Sequence, residues 1–402
     1  MLERTLGVPL FQEQMLKIAM IMANFSGDEA EELRRALSFH RSEERMNKVS
    51  VKLREAMARN QVAPEVIEKV LHSITSFALY GFPESHAISF AILAYGSAYL
   101  KVHRPAEFYA SLINNQPMGF YTPATIVKDA RRHGVKVKPV CVAQSEWNCT
   151  VIADDTIRLG FCVVNGLQRE HADDFLRERK ERPFSSLEDF RKRAVLLTKD
   201  ELRRLANLGA LNCFAEHRRA AMWKMEETPH DDLLGKKVVE VLVPGACLIN
   251  SAFDPNAATT SPLPRMTLPE RVRADYEVMD LTTGPHSMKL VRAQLPDIWR
   301  AIDLAQAKHG SIVRIAGNVI CRQRPGTAKG FVFISLEDET GVSNAIVTPD
   351  LFEETRLLVT EEPFLVIEGE VQNTDNVVLI KAQKIFPLIS DGLVGSASHD
   401  FH

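Results

Sequence analysis

Residues 311–347 read SIVRIAGNVICRQRPGTAKGFVFISLEDETGVSNAIV, three runs of β-branched and aromatic residues separated by turn-forming residues. The runs predict strands at Ile312–Ile320, Phe331–Leu336 and Ser343–Val347. Gly317 lies inside the first run, which predicts a bulge or a tight bend there. The C-terminal part of the chain is therefore expected to be a β domain.

The following residues complete that domain. Leu351–Leu358 predicts a short helix, and Phe364–Val371 and Val377–Ile380 predict two more strands. Five strands with a helix between the third and the fourth is the order of an OB-fold barrel. Such barrels bind oligonucleotides or oligosaccharides, so the fold alone leaves the function open.

Basic and aromatic side chains in this segment predict a path for a DNA strand, because single strands bind to basic grooves with stacking platforms. The candidate DNA-binding residues of the barrel are Arg314, Arg322, Arg324, Lys329 and Phe331. Of the neighbouring pair Phe331 and Phe333, one is expected to lie in the core instead. The loop Arg322–Lys329 is the stronger candidate.

Residues 1–115 show the periodicity of helices. Ser26 with Glu29 three residues later predicts a capping box. Ser85 is expected to begin a buried helix that runs to about Val102. Farther along, Thr150–Leu159 predicts a β-hairpin, and residues 161–226 return to short helices. Two more capping boxes are predicted there, at Ser185 with Glu188 and at Thr198 with Glu201.

Composition excludes several classes of protein. The 402 residues are 45% hydrophobic and 25% charged, which is ordinary for a globular chain and excludes overall disorder, collagen and coiled coil. The longest uncharged apolar stretch, Ser85–Leu100, is too short for a spanning helix. No signal peptide is indicated, and the six cysteines show no C-x-x-C spacing. A cytoplasmic protein without a metal site or a disulfide framework is expected.

Charge is unevenly distributed. The segment from Lys128 to Lys224 holds 20 lysines and arginines against 14 acidic residues, while the rest of the chain holds 29 against 38. A basic segment within an acidic chain suggests contact with a polyanion. A solvated helical surface without a bound polyanion explains the same charges, and charge alone favours this alternative.

Several short motifs then follow one another in a specific order, namely QEQ at 12–14, LRRA at 33–36, YGFPESH at 80–86 and LKVHRPAEF at 100–108. This order resembles the fingers region of bacterial C-family DNA polymerases, the DNA polymerase III alpha subunit and its error-prone paralogue. The GFPESH form, residues 115–121 and the final Asp400-Phe401-His402 resemble the error-prone branch. The resemblance covers nearly the whole chain except residues 227–268.

The resemblance implies that these motifs hold a nucleoside triphosphate. The candidate nucleotide-binding residues are Arg34, Arg35, Arg41, His86 and Lys101. Guanidinium groups near one helix end suit phosphate independently of any family. The alternative is that Arg34 and Arg35 form a solvated face paired with Glu31 and Glu32.

The resemblance also implies a tandem helix-hairpin-helix region, in which the amides of tight hairpins approach DNA phosphates. The candidate DNA-binding residues are Asn165, Gly166, Leu167, Gln168 and Arg169 in the first hairpin and Gly209 in the second. Gln168 replaces the second glycine of the usual Gly-x-Gly. A plain helix C-cap is the alternative role of Gly209.

DNA synthesis needs two metal ions held by carboxylates, and this sequence contains no Asp-x-Asp. We therefore expect no catalytic and no metal-binding residue in this chain and no activity of the chain alone. The resemblance implies magnesium for the complete polymerase, a DNA-directed nucleotidyltransferase active in translesion synthesis, damage-induced mutagenesis, replication and repair. The alternative is a non-catalytic DNA-binding accessory protein.

Expected partners are primer-template DNA, single-stranded template, a deoxynucleoside triphosphate in the complete enzyme and proteins of a mutagenesis complex. No membrane partner is expected, and the lack of Gln-x-x-Leu-Phe argues against direct binding to a sliding clamp. The expected fold is multidomain α+β. Its predicted parts are a partial fingers region (1–119), a tandem helix-hairpin-helix domain (120–226), a proline-rich linker (227–268), a helical connector (269–310), an OB-fold domain (311–390) and a tail (391–402).

Overall fold

The computed structural model describes residues 2–37, 43–80, 83–119, 121–226, 261–325, 328–374, 377–390, 393–395 and 398–401. The chain divides into two compact units, Met1–His103 and Arg104–His402. Arg41 and most of the predicted linker, including its mostly apolar run at 238–243, lie outside the described residues. The finer domain boundaries given above stay predictions.

The first unit is helical, as predicted. After a short 3-10 turn its helices are α1 (Gln12–Ala23), α2 (Gly27–Leu37), α3 (Glu43–Arg59), α4 (Pro64–Tyr80) and α5 (Glu84–His103). The capping box before α2 is confirmed, since Ser26 N–H donates to Glu29 Oε2 at 2.9 Å and Glu29 N–H donates to Ser26 Oγ at 3.3 Å. Helices α1 to α4 pack around one core, whose fully buried members include Met15, Leu33, Leu53 and Met57.

The helix α5 differs from the prediction in its surroundings. It runs from Glu84 to His103, one residue longer at each end than predicted, but it buries none of its residues, so the expectation of a buried helix is wrong. Its large apolar side chains are exposed: Ile88, Phe90, Ile92, Leu93, Tyr95, Tyr99, Leu100 and Val102. They lie on all sides of the helix, and no element of the described residues covers them. No helix of the described chain is long and apolar enough to cross a membrane.

The second unit begins with a mixed region that consists of one helix of the predicted fingers part followed by the predicted helix-hairpin-helix domain (120–226). Its elements are α6 (Pro105–Asn114), α7 (Pro123–Arg132), β1 (Lys136–Lys138), β2 (Thr150–Ala153), β3 (Thr156–Arg158), a 3-10 turn (Phe161–Val163), α8 (Arg169–Glu181), α9 (Leu187–Arg193), α10 (Lys199–Leu208) and α11 (Arg218–Glu226). The predicted hairpin is confirmed as β2 and β3, with β1 added in parallel. Helices α6 to α11 share one core with β3.

The two predicted capping boxes of this region have different outcomes. The box at Thr198 and Glu201 is confirmed at the start of α10. The box at Ser185 and Glu188 is wrong by one residue. Ser186 is the N-cap of α9, and its Oγ accepts a hydrogen bond from Asp189 N–H at 3.1 Å. The side chain of Asp189 in turn accepts from the N–H of Ser185, so aspartate performs the role expected of glutamate.

A connector and a barrel follow. The connector holds α12 (Leu268–Met279), α13 (Ser287–Val291) and two 3-10 turns, and the barrel consists of β4 (Ile312–Gln323), β5 (Val332–Glu337), β6 (Val342–Val347), α14 (Pro349–Glu361), β7 (Phe364–Thr374) and β8 (Val377–Pro387). The strand order is β5-β6-β8-β7-β4, and β4 also pairs with β5, which closes a five-stranded barrel. The predicted OB-fold is confirmed. The sequence analysis missed β9 (His399–Phe401), which pairs in parallel with β4.

The barrel closes because β4 changes partners near its middle. Residues Ile312 to Asn318 pair with β7, and Asn318 to Gln323 pair with β5. At the crossover, the Cβ of any residue other than glycine at position 317 would lie 2.6 Å from the carbonyl oxygen of Glu337. At Gly317, where a bulge or a tight bend was predicted, two backbones therefore approach too closely for a side chain, and the register shift of β4 lies farther on, between Val319 and Cys321.

Candidate nucleic-acid interface

The first predicted hairpin is a tight turn before α8, and an arginine of α10 covers it. Gly166 has a φ of +74°, a left-handed conformation that favours glycine. A Cβ at this position would lie 3.1 Å from Cζ of Arg204. Arg204 Nη1 also donates a hydrogen bond to the carbonyl oxygen of Asn165 at 3.1 Å. The turn therefore has a guanidinium group beside its backbone, which suits a phosphate.

The start of α8 already holds a carboxylate of the protein itself. Glu201 Oε1 accepts a hydrogen bond from Gln168 N–H at 2.9 Å, and His171 Nδ1 lies 2.8 Å from Glu201 Oε2. Burial raises the pKa of Glu201, but the amides of Gln168 and Thr198 outweigh burial and keep this pKa below its ordinary value. Helix N-termini attract anions, so Glu201 stands where a phosphate would meet the amide of Gln168.

The other predicted residues of the first hairpin point in different directions. Leu167 is buried in the core of the region. Asn165 Nδ2 donates to Asp280 Oδ2 at 2.6 Å, which ties the hairpin to the end of α12. Arg169 is exposed, lies 3.5 Å from a carboxylate oxygen of Asp173 and stands over the ring of Trp147 at 5.7 Å. Among these residues, Arg169 is thus a side chain that DNA can reach.

The second predicted hairpin is a helix end. Gly209 has a φ of +84° and caps α10, and Ala210 N–H donates to the carbonyl oxygen of Leu205 at 2.9 Å. A Cβ on Gly209 would lie 2.8 Å from Nε of Arg218. Arg218 in turn lies 2.8 Å from Oδ1 of the buried Asp275. The geometry is that of the C-cap alternative, and a contact of Gly209 with DNA stays a prediction.

On the barrel, three of the predicted arginines are engaged within the protein. Arg314 pairs with Glu368 at 2.6 Å. Arg324 lies over the ring of Phe352 at 4.5 Å. Arg322 has a side chain only 11% exposed and donates to backbone carbonyl oxygens near the end of α14, at Val359 and at Glu362. Since the last carbonyls of a helix lack intrahelical partners, Arg322 completes α14.

The loop before β5 and the strand itself present the more accessible side chains. Lys329 is exposed and has a left-handed φ of +50°. Phe331 and Phe333 are 37% and 36% exposed, so the expectation that one of the pair lies in the core is wrong. The alternation of β5 turns Val332 and Ile334 inward and these two rings outward. Two aromatic rings beside a basic loop can serve as stacking platforms for bases.

The predicted nucleotide-binding residues of the first unit do not converge. Arg34 and Arg35 lie in the last turn of α2, and both pair with Glu31, at 3.6 and 3.7 Å. His86 and Lys101 lie at opposite ends of α5, and 15 residues of helix separate them by roughly 22 Å. The structure therefore brings the two arginines together and keeps the histidine and the lysine apart.

A buried ionic cluster, which the sequence analysis missed, joins the helix-hairpin-helix region to the barrel. Glu337 at the end of β5 is 2% exposed and accepts hydrogen bonds from Lys128 Nζ at 2.7 Å and from Arg132 Nη2 at 2.9 Å. His286 Nε2 lies 3.8 Å away. Burial raises the pKa of Glu337, but the neighbouring His286 and Lys128 lower it to about 2. In the sequence, the spacing of Lys128 and Arg132, which places both on one face of α7, was the signal that could have indicated this cluster.

The cysteines form two close pairs that their spacing did not reveal. The hydrogen bond with the Cys213 thiol lowers the pKa of Cys141 to about 6 and raises that of Cys213. A similar hydrogen bond links Cys149 with Cys162 and raises the pKa of the buried Cys149 thiol. Among the described residues, no three His, Cys, Asp or Glu side chains gather as a metal site would require.

Comparison with known domain families identifies three parts of the chain. Residues 1–61 match the bacterial DNA polymerase III alpha subunit finger domain. Residues 134–221 match the helix-hairpin-helix motif, and residues 313–388 match the OB-fold nucleic acid binding domain. The three modules follow one another in the order that the sequence analysis expected, and the last two indicate nucleic-acid binding.

The chain is also similar to curated proteins along its whole length. It is 39% identical over 414 residues to the error-prone DNA polymerase of Anaeromyxobacter sp. (strain K), covering 100% of this chain and 35% of that protein. It is 39% identical over 407 residues to error-prone DNA polymerase 2 of Agrobacterium fabrum, covering 99% and 37%. The chain thus spans about a third of the length of these relatives, and the resemblance to the C-terminal portion of an error-prone polymerase is confirmed.

Two solved structures each match about a fifth of the chain. Asparaginyl-tRNA synthetase from Pyrococcus horikoshii is 22% identical, with 19% of this chain and 20% of that chain covered and a TM-score of 0.18. The hypothetical protein ygiW from E. coli is 19% identical, with 23% and 89% covered and a TM-score of 0.19.

Proposed function

We propose that this chain is the DNA-handling part of an error-prone, translesion DNA polymerase. The observation that carries the proposal is 39% identity along the entire chain to error-prone polymerases, with finger, helix-hairpin-helix and OB-fold modules in order. In this role the helix-hairpin-helix region holds primer-template duplex by its phosphates, and the barrel holds single-stranded template. The complete polymerase acts in damage-induced mutagenesis, replication and repair in the cytoplasm.

The first unit supplies contacts to the incoming deoxynucleoside triphosphate. Arg34 and Arg35 are the best-placed candidates, because both lie on one exposed turn of α2. A triphosphate there competes with Glu31 for both guanidinium groups. His86 and Lys101 belong to this role only if separate parts of the nucleotide or template reach the two ends of α5.

Catalysis needs carboxylates that this sequence does not offer. Polymerases hold two magnesium ions between carboxylates to activate the attacking hydroxyl group and to stabilise the leaving pyrophosphate. The chain has no Asp-x-Asp, and its described residues contain no cluster of three metal-ligating side chains. Within the described residues no side chains fit the two ions, which supports our proposal that other parts of the polymerase perform the chemical step.

Two measurements on the purified chain test this function. We expect binding to primer-template DNA at low salt, and no primer extension with magnesium and all four deoxynucleoside triphosphates. Failure to bind any DNA would contradict the DNA-handling role. Template-dependent incorporation that co-purifies with the chain through two columns would contradict the assignment of catalysis elsewhere.

Genomic context distinguishes the polymerase from the alternative function, a non-catalytic DNA-binding accessory protein. An adjacent coding stretch in frame with this one, encoding a histidine-rich phosphoesterase domain and an Asp-x-Asp palm, supports the polymerase. A chain encoded alone, which binds DNA and remains inactive when supplied with any polymerase palm, supports the accessory role.

A further inference from the structure

A cavity of about 480 Å³ lies where α7 and the connector meet the barrel, and we call it the junction pocket. Its charged residues lie on three elements: Lys128, Arg131 and Arg132 on α7, Lys289 on α13, and Asp338 and Glu339 in the turn after β5. The walls therefore come from both nucleic-acid modules and from the connector between them.

The acidic residues of the pocket are neutralised within the protein. Arg292 lies 2.7 Å from a carboxylate oxygen of Glu339 and 3.3 Å from one of Asp338. Asp338 also accepts hydrogen bonds from the backbone N–H groups of Thr340 and Gly341, at 2.7 and 2.9 Å. These carboxylates consequently do little to repel an anion that enters the pocket.

The basic residues exceed their counter-charges. Lys128 and Arg132 share the single carboxylate of Glu337. Arg131 is exposed and, within the described part of the chain, donates to the carbonyl oxygen of Gly284 alone, at 2.5 Å. Lys289 is exposed, and no carboxylate of the described chain lies within ion-pair distance of it.

With Arg292 included, the five cations of this cluster exceed its three carboxylates by two charges. Burial lowers the pKa of His286, so its ring adds no charge at neutral pH.

We propose that backbone phosphates of a DNA strand bind in the junction pocket, with Arg131 and Lys289 as the contacting side chains. The inference rests on the proposed function, in which both modules bind DNA. Because Glu337 fixes the barrel to α7, a strand held by the barrel and by the helix-hairpin-helix region must cross the joint between them. The surplus of two cations in the junction pocket complements the negative charge of the phosphates on the strand that crosses there.

The test compares the full chain with the double variant Arg131→Gln, Lys289→Gln. The probe is a fluorescein-labelled primer-template with a single-stranded template overhang, which both modules can hold, titrated between 50 and 300 mM NaCl. Loss of two phosphate contacts should reduce the slope of log K against log[salt] by about 1.4, since each contact on a single strand contributes about 0.7. At 0.1 M salt this corresponds to an affinity loss of up to roughly 25-fold.

Two matched controls accompany this variant. Lys308→Gln with Arg356→Gln removes the same charge from exposed barrel-side residues outside the pocket, and it should leave the slope unchanged. Arg131→Lys with Lys289→Arg keeps both charges in the pocket and should keep the wild-type slope. Thermal melts of all four proteins check that each is folded.

Each result has a defined consequence. If the wild type binds and the double variant Arg131→Gln, Lys289→Gln has the same salt slope, the proposal that the pocket binds DNA is overturned and the proposed function stands. If the wild type does not bind at 50 mM salt, both are overturned. An equal loss in the Lys308 and Arg356 control shows a general charge effect and also overturns the pocket. Inorganic phosphate at fixed ionic strength is also tested as a ligand. If it stabilises the wild type while the variant keeps the wild-type slope of log K against log[salt] for DNA, the pocket binds free phosphate instead of DNA.

Discussion

Replacement of Glu337 by glutamine should loosen the barrel from the helix-hairpin-helix region. Glu337 is 2% exposed and is the shared acceptor of Lys128 and Arg132. Lys128 is itself only 11% exposed, so the variant leaves a cation largely buried without its carboxylate. Removal of one partner from a buried ion pair usually costs about 3–5 kcal/mol.

The pKa gives an independent magnitude and a pH range. A pKa lowered from 4.5 to about 2 corresponds to about 3 kcal/mol of folding stability at pH 7. Because the pKa in the folded protein is the lower one, this stability is complete above pH 4.5 and is lost as the pH falls toward 2. Glutamine does not titrate, so the gap between wild type and variant should narrow by about 2 kcal/mol between pH 7 and pH 3.

The assay is urea unfolding of the full chain at pH 7, 5 and 3, with a deuterium pulse that reads the peptide containing β5 separately. Peptides of α1 to α4 should not change, because the first unit has its own core. The control is Glu354→Gln on the exposed side of α14, which should cost less than about 0.5 kcal/mol. A cost below about 1 kcal/mol for Glu337→Gln, or a gap that is equal at pH 7 and pH 3, would refute the reasoning.

Three further predictions concern the separate modules. Residues 311–390 should fold alone as a β barrel with a cooperative melt, and a largely helical circular dichroism spectrum would contradict this. Binding of residues 120–226 to two unrelated duplexes should show salt slopes of roughly −3 to −4 for three or four phosphate contacts. Gly166→Val should weaken both complexes alike, whereas Gly134→Val in the same fragment, with a similar φ of +84°, should not; a flat salt response would show that Gly166 is only a turn. Cys141 should react with iodoacetamide at pH 7 faster than an ordinary thiol, since the hydrogen bond with Cys213 lowers its pKa, and Cys213→Ala should slow that reaction by raising this pKa; equal rates would contradict the thiol pair.

The sequence alone determined the features that depend on neighbours in the chain. The strand order of the barrel, the helices of the first unit and the capping boxes at Ser26 and Thr198 follow from spacing over a few residues, and the structure confirms them. The sequence also marked Gly317 as a special position in its strand, predicted there as a bulge or bend, and the structure shows two backbones in close approach at this glycine. The family resemblance depended on the same kind of evidence, short motifs in a fixed order.

Only the tertiary structure decided which charged side chains are available. Lys128 and Glu337 are 209 residues apart in the sequence, and Arg322 meets the end of α14 after 37 residues, so no local pattern shows that these charges are already paired. The surroundings of α5 were decided in the same way, because an all-round apolar helix is buried only where other elements enclose it. Composition reveals how many charges and apolar groups a chain has. Their partners are set by long-range packing, which brings distant residues within 3 Å and thereby fixes which cations remain for DNA.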